Sequence, residues 1–197
     1  MLLVIGILIG AYFIGSISFA IVVSRIAGLA DPREYGSKNP GATNVLRSGK
    51  RIAALVTLLG DGLKGWFVVW LTKHLGLDNS IVALSAIAVF TGHLYPIFFR
   101  FQGGKGVATA AGIMFGITYW LGFVALIVWL SIAFIFRYSS LAALVSAIVT
   151  LISGFILLGI TPLSIAVAII CLGMIYRHQN NIRNLLAGRE SKIGKNK

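Results

Sequence analysis

Six nearly uncharged apolar stretches, at 2–24, 52–72, 81–99, 107–136, 141–158 and 162–176, take up most of this 197-residue chain. About 20 apolar residues are what one helix needs to cross the hydrocarbon core of a bilayer. Every backbone polar group in lipid must be satisfied from within the protein, so such a sequence is confined to packed transmembrane helices. Composition agrees: 58% of residues are hydrophobic and 11% charged, where a soluble domain carries about 25% charged residues. The chain reads as an all-α integral membrane protein, a single polytopic membrane domain over 1–197.

Charge decides how the stretches are threaded. The 30 residues of 107–136 would make one helix of about 45 Å, against roughly 30 Å of hydrocarbon. Twelve of the seventeen Lys and Arg residues lie in two segments, six in 25–51 and six in 177–197. Positive charge beside apolar runs marks the cytoplasmic face and contact with anionic lipid. Six spans would put these two segments on opposite sides. Splitting 107–136 near 116–122 gives seven transmembrane helices and brings both segments to the cytoplasm, with Arg100, Lys105 and Arg137. The N-terminus is then outside and the C-terminus cytoplasmic. The helix from Val107 to about Gly116 is too short to cross alone, so 103–106 is expected as a recessed glycine-rich loop lining a polar cavity at the cytoplasmic face. The same charge distribution argues against nucleic acid as the partner of a chain of net charge +12. Residues 1–24 carry no side-chain charge, so they read as a first permanent span rather than a cleaved secretory signal. The single cysteine, Cys171, allows neither an intrachain disulfide nor a Cys-rich metal site.

Two polar strings interrupt the apolar pattern. The first, Gly36-Ser37-Lys38-Asn39-Pro40-Gly41-Ala42-Thr43-Asn44, ends three residues before Arg47. Ser37, Asn39, Thr43 and Asn44 are short hydrogen-bonding side chains, and Arg47 can grip two phosphate oxygens at once. A solvated turn-rich connection explains the same residues. The second, Gly103-Gly104-Lys105-Gly106, stands where a helix begins, and exposed amides beside one lysine make a ready anion site. It lacks the spacing of a nucleotide-hydrolysing P-loop, and a plain glycine hinge is the alternative. Past the last apolar run, His178 and Asn181 are three apart and share a face if the segment is helical. A basic juxtamembrane anchor accounts for the surrounding arginines.

Inside the second apolar stretch, Asp61 and Lys64 are also three apart. Intramembrane charge marks a functional site by default, and a structural ion pair fits equally well. His93 reads as a supporting residue before the glycine loop and is kept among the substrate-binding candidates. Tyr138-Ser139-Ser140 reads first as a helix N-cap, with Ser140 carried as a candidate substrate contact. No His, Cys, Asp and Glu spacing suits a zinc or two-metal site, and no Gly-x-Ser-x-Gly elbow is present. The His-x4-Asp pair of many acyltransferases is missing too; His74 and Asp78 are one residue short, and are expected on the outer face. Neither metal nor cofactor is expected.

Taken together, Gly15-Ser16-Ile17, the 36–47 loop, Asp61 with Lys64, the stretch from Gly92-His93 to Thr109 and the tail from His178 to Glu190 resemble the bacterial acyl-phosphate:glycerol-3-phosphate acyltransferase (PlsY) family. The resemblance covers nearly the whole chain and departs from the family pattern at Lys38 and Gln179. It implies transfer of a fatty acyl group from acyl-phosphate to the 1-hydroxyl of glycerol 3-phosphate, giving lysophosphatidic acid and inorganic phosphate, the first step of phospholipid synthesis. It also implies a seven-helix protein of the bacterial inner membrane, with its active site facing the cytoplasm. Through it, Gly103, Gly104, Lys105 and Gly106 are expected to bind glycerol 3-phosphate. Ser37 and Arg47 enter the site from the first motif, His178 and Asn181 from the third, and Glu190 is expected to be structural.

The chemistry suits those groups. An acyl-phosphate carries a good leaving group, so the protein mainly has to align two phosphorylated substrates and stabilise negative charge. Lys105 and the glycine amides are expected to hold glycerol phosphate, and Ser37, Asn44 and Arg47 the acyl-phosphate or its departing phosphate. The acyl chain would lie between helices, against membrane lipid. The proton of the attacking hydroxyl goes either to His178 or to a substrate phosphate. Two rival readings stand beside this one: a carrier for organic phosphates, disfavoured by the absence of an internal repeat, and a non-enzymatic lipid-binding scaffold, which leaves the Gly-Lys loop unexplained.

Overall fold

The computed structural model describes residues 1–194 and is all helical among them. In chain order the helices are α1 (Leu2–Ser16), α2 (Phe19–Ile26), α3 (Ala42–Leu46), α4 (Arg51–His74), α5 (Asn79–Leu94), α6 (Val107–Ile117), α7 (Tyr119–Phe136), α8 (Ser139–Leu158), α9 (Pro162–Arg177) and α10 (Gln179–Leu186), with a 3₁₀ turn at Ile97–Phe99 after α5. Among the described residues, four helices are long and apolar enough to cross a membrane, or six spans if the bent pairs α1/α2 and α9/α10 each count as one. α6 is apolar but has only 11 residues.

Small residues let the helices approach closely, as expected where lipid supplies no hydrophobic drive between them. α4 packs most extensively on α6 and α1 on α5. A side chain at Gly112 would run into the Gly62 carbonyl, and one at Gly92 into the backbone of α1 at Tyr12 and Ser16. Around these contacts Val69, Val89, Ile113, Met114, Val167 and Ile170 form one fully buried core. Helix ends are fixed by identifiable groups. Asp78 accepts from the Ser80 and Ile81 amides at 2.8 and 3.1 Å, which makes it the cap of α5. Thr161 and Ser164 form a capping box ahead of α9, with Pro162 at its first position. Lys73 Nζ donates to the Gly116 and Ile117 carbonyls at 3.3 and 3.0 Å, neutralising the last turn of α6.

Three expectations need correcting. The stretch at 2–24 is not one rod: α1 and α2 meet at a bend of 45°, at Ile17 and Ser18, with no proline to announce it. The polar connection 25–51 is not all loop, since 42–46 forms α3. Tyr138-Ser139-Ser140 provides no side-chain cap for α8; both serines are engaged elsewhere. The long run 107–136 is divided at Thr118, which has extended backbone between α6 and α7.

Candidate active site

Four segments distant in sequence meet at one end of the bundle: 31–47, 97–106, the start of α8, and 177–193. Arg33 is held by Asp31 at 2.7 Å and reaches across to the Phe99 carbonyl at 3.3 Å, tying the first loop to the second. This hydrogen-bonded pairing also keeps the Asp31 carboxyl below its ordinary range. Thr43 Oγ1 and Ser139 Oγ are 3.1 Å apart, which joins α3 to α8. Arg47 donates to Ser191 Oγ at 2.6 Å. The Ile193 amide donates to the Arg137 carbonyl at 2.7 Å, so the tail strap lies across the site's edge.

At the centre, Lys105 Nζ donates to Asn181 Oδ1 at 2.5 Å. Asn181 Nδ2 in turn donates to Glu190 Oε1 at 2.8 Å, and Ser140 Oγ donates to the same oxygen at 2.6 Å. The Glu190 carboxylate therefore orients Asn181, which orients Lys105. Burial pushes the Lys105 ammonium down to about 8; the Glu190 charge opposes this, while Arg177 and Arg47 reinforce it. His178 begins α10 and is almost wholly buried. Its Nδ1 lies 2.8 Å from the Met174 carbonyl. A carbonyl only accepts, so Nδ1 carries a hydrogen and Nε2 is the ring's available basic atom.

The glycine-lysine loop needs its glycines for two separate reasons. Gly106 starts α6 at φ 82°, a left-handed conformation that costs glycine little. Gly104 packs so tightly that a side chain there would strike His93 Nε2 and the Pro40 carbonyl. Arg177 braces the loop from the other side, with Nε and Nη2 at 3.3 and 3.1 Å from the Gly104 and Gly103 carbonyls, while its guanidinium sits 5.4 Å from the Tyr95 ring centroid.

These groups surround the mouth of a cavity of about 1260 Å³. Ser37, Asn39, Thr43, Arg47, Lys105, Ser140, His178, Asn181 and Glu190 line its polar end, and it continues between the helices past Leu55, Leu58, Ala108, Leu126, Trp129 and Met174. Asn44 borders the cavity but is bound into the loop: its Oδ1 accepts from the Ser37 amide at 2.9 Å, and its Nδ2 donates to the Pro32 and Tyr35 carbonyls at 2.7 and 3.2 Å. It shapes the loop that presents Ser37. Asp61 and Lys64 pair at 2.8 Å, close to His93 and beneath the glycine loop. Sequence reasoning missed Arg33, Arg177 and Ser191, and took Ser139 for part of a helix cap. Of those missed, only Arg177 carried a signal, as the cation next to His178 where the last apolar run stops.

A multi-span membrane protein that gathers cations, amides and hydroxyls at one end, beside an apolar corridor, has the layout of an enzyme joining a water-soluble phosphate to a lipid chain. The sequence profile of the glycerol-3-phosphate acyltransferase family matches residues 5–188. A glycerol-3-phosphate acyltransferase of Herminiimonas arsenicoxydans is 60% identical over 193 residues, covering 96% of this chain and 94% of its own. One from Burkholderia thailandensis is 58% identical over 192 residues, covering 96% and 95%. The crystal structure of PlsY (YgiH), an integral membrane glycerol 3-phosphate acyltransferase, in its glycerol 3-phosphate form superposes with a TM-score of 0.92 at 36% identity over 97% of this chain and 96% of that one. Its lysophosphatidic acid form gives a TM-score of 0.90 at 35% identity, over 97% and 95%. The chain belongs to the PlsY family of glycerol-3-phosphate acyltransferases.

Proposed function

We propose that this protein transfers a fatty acyl group from acyl-phosphate to the 1-hydroxyl of glycerol 3-phosphate. The observation that carries this reading is the chain from Lys105 through Asn181 and Glu190 to Ser140 at the polar mouth of a cavity with an apolar continuation. The relatives described in glycerol 3-phosphate and lysophosphatidic acid forms supply the acceptor and the product. Lys105 and the amides of Gly103 and Gly106 hold the acceptor's phosphate; the Gly104 amide is already given to the His93 carbonyl, so Gly104 shapes the cradle instead. Ser37, Asn39, Thr43 and Arg47 hold the donor's phosphate, with Ser140 fixing Glu190 between them. The acyl chain lies along Leu55, Leu58, Leu126 and Trp129.

In the reaction, the acceptor's hydroxyl oxygen bonds to the acyl carbon, the bond from that carbon to the phosphate oxygen breaks, and phosphate leaves with the electron pair. The hydroxyl proton ends on the departing phosphate, so the proton count closes without an external acid. His178 Nε2 takes that proton first or holds the hydroxyl in line while a substrate phosphate takes it. Cations and amides already in place at both phosphates lower the barrier without reorganising during the reaction.

The four long helices and two bent pairs account for up to six spans, and the seven-pass reading adds the short α6 as a seventh. With the N-terminus outside, every segment of the site falls on the cytoplasmic side of one polytopic domain in the bacterial inner membrane. The links between the first loop and the tail, such as Arg47 to Ser191, support placing both basic segments on one face.

Protein reconstituted in liposomes with radiolabelled glycerol 3-phosphate and palmitoyl-phosphate should move label into the lipid phase as lysophosphatidic acid. Unchanged label trapped inside the vesicles, with no lipid product, would indicate a carrier instead. A pH profile tests the lysine. Free enzyme holds Lys105 charged below about pH 8 and loses that charge above it, so the KM for glycerol 3-phosphate should rise as pH climbs past 8. A Lys105→Arg variant stays charged there and should flatten the rise, whatever its basal affinity; an unaltered profile would contradict the assignment.

A further inference from the structure

Below the glycine-lysine loop lies a buried polar group that the reaction as described does not use. Asp61, Lys64 and His93 are 2, 5 and 6% exposed. Lys64 Nζ donates to Asp61 Oδ1 at 2.8 Å and to the Ile17 carbonyl, at the bend between α1 and α2, at 2.6 Å. Those two contacts already neutralise the carboxylate and join the helices, so they complete a structural ion pair without the histidine. His93 nevertheless brings Nδ1 to 3.5 Å from the same Asp61 oxygen, and Nδ1 has no closer hydrogen-bond partner among the described residues.

The other side of the histidine accounts for its presence. Its Nε2 packs on Gly104 so closely that no side chain fits there, and its own carbonyl accepts the Gly104 amide at 3.2 Å. Lys105 is the next residue. Gly104 is thus seated between His93 below, Pro40 of the first loop beside it, and Arg177, whose Nε reaches its carbonyl.

We infer that His93, held by Asp61, is a positioning residue: it sets the height of the Gly103–Gly106 cradle and of Lys105, and so the affinity for the phosphorylated acceptor. It borders the cavity and acts through its contacts with Gly104. The inference rests on the reading that this loop holds the acceptor's phosphate. A residue that served only to keep α4 and α5 together would, when removed, degrade both substrates' use and the fold alike. A residue that seats one cradle degrades one KM.

The test compares His93→Ala, His93→Gln, Gly104→Ala and Lys105→Ala in purified protein, measuring kcat, the KM of each substrate and thermal unfolding. Removing the ring in His93→Ala should raise the KM for glycerol 3-phosphate about tenfold or more, leaving that for palmitoyl-phosphate within about twofold. His93→Gln, which keeps a polar group of similar reach beneath Gly104, should recover most of the loss. Gly104→Ala presses on the same contact from above and should reproduce the His93→Ala pattern, which keeps the test open if His93→Ala does not fold. Glycerol 3-phosphate KM unchanged in both, with Lys105→Ala raising it, overturns the inference alone. Equal damage to both substrates in step with lost thermal stability overturns it as well. An unchanged KM in Lys105→Ala removes the cradle assignment, and the inference with it.

Discussion

Lys105→Ala should lower kcat/KM for glycerol 3-phosphate by roughly 10–100-fold, matching the ~1.5–3 kcal/mol of a hydrogen bond to a charged group. Most of the loss should appear in the KM for that substrate, because the phosphate is held in both ground and transition states. Lys105 is partly buried and donates to Asn181, so the variant removes the cation of the cradle and leaves Asn181 Oδ1 without its donor. Neither effect acts directly on the donor's phosphate across the mouth, where Arg47 stands. The KM for palmitoyl-phosphate should therefore move by no more than about fivefold, the worth of a single neutral hydrogen bond of about 1 kcal/mol. Steady-state kinetics with each substrate varied in turn read the split. A loss falling mainly on palmitoyl-phosphate would exchange the two cradles.

His178→Ala should leave both KM values nearly unchanged and lower kcat by about 10²-fold, the lower end for a positioned acid or base. The ring is buried and its tautomer is fixed by the Met174 carbonyl, which leaves Nε2 as the ring's acceptor. Near-full activity at saturating substrate would hand the proton to a substrate phosphate and leave His178 a packing residue. The same variant then separates the two routes, because a substrate phosphate taking the proton does not need the imidazole.

Hydropathy and charge make the membrane class, the division of 107–136 and the clustering of the polar strings legible in the amino-acid sequence. Hydropathy records which residues avoid water, and length alone signals the helix break that falls at Thr118. The bend at Ile17 and Ser18 has no such mark. It sits where a carbonyl receives the Lys64 ammonium from another helix, a tertiary contact no local pattern contains. Among the site candidates, Asn44 shows the limit of reading residue types. An amide is as suited to holding a loop as to holding a ligand, and here both its ends are spent on the backbone of 32–37. Ser139 and Ser140 resemble a helix cap because that is what serine before a helix often provides; instead they reach Thr43 and Glu190. Arg177 has the sequence setting of an anchoring cation, yet it braces the two glycine carbonyls. In each case the chemistry of the side chain is visible in the sequence and its partner is not, since nothing local specifies which group the fold will bring to it.

The most direct measurement supplies purified, detergent-solubilised protein with glycerol 3-phosphate and palmitoyl-phosphate, with palmitoyl-CoA and palmitoyl-ACP in parallel, in the presence of EDTA. Lysophosphatidic acid and inorganic phosphate formed from palmitoyl-phosphate alone, in equal amounts, is the expected result. Product formed only from the thioesters would keep the acyltransferase and contradict the donor, and with it the assignment of Ser37 and Arg47 to a departing phosphate.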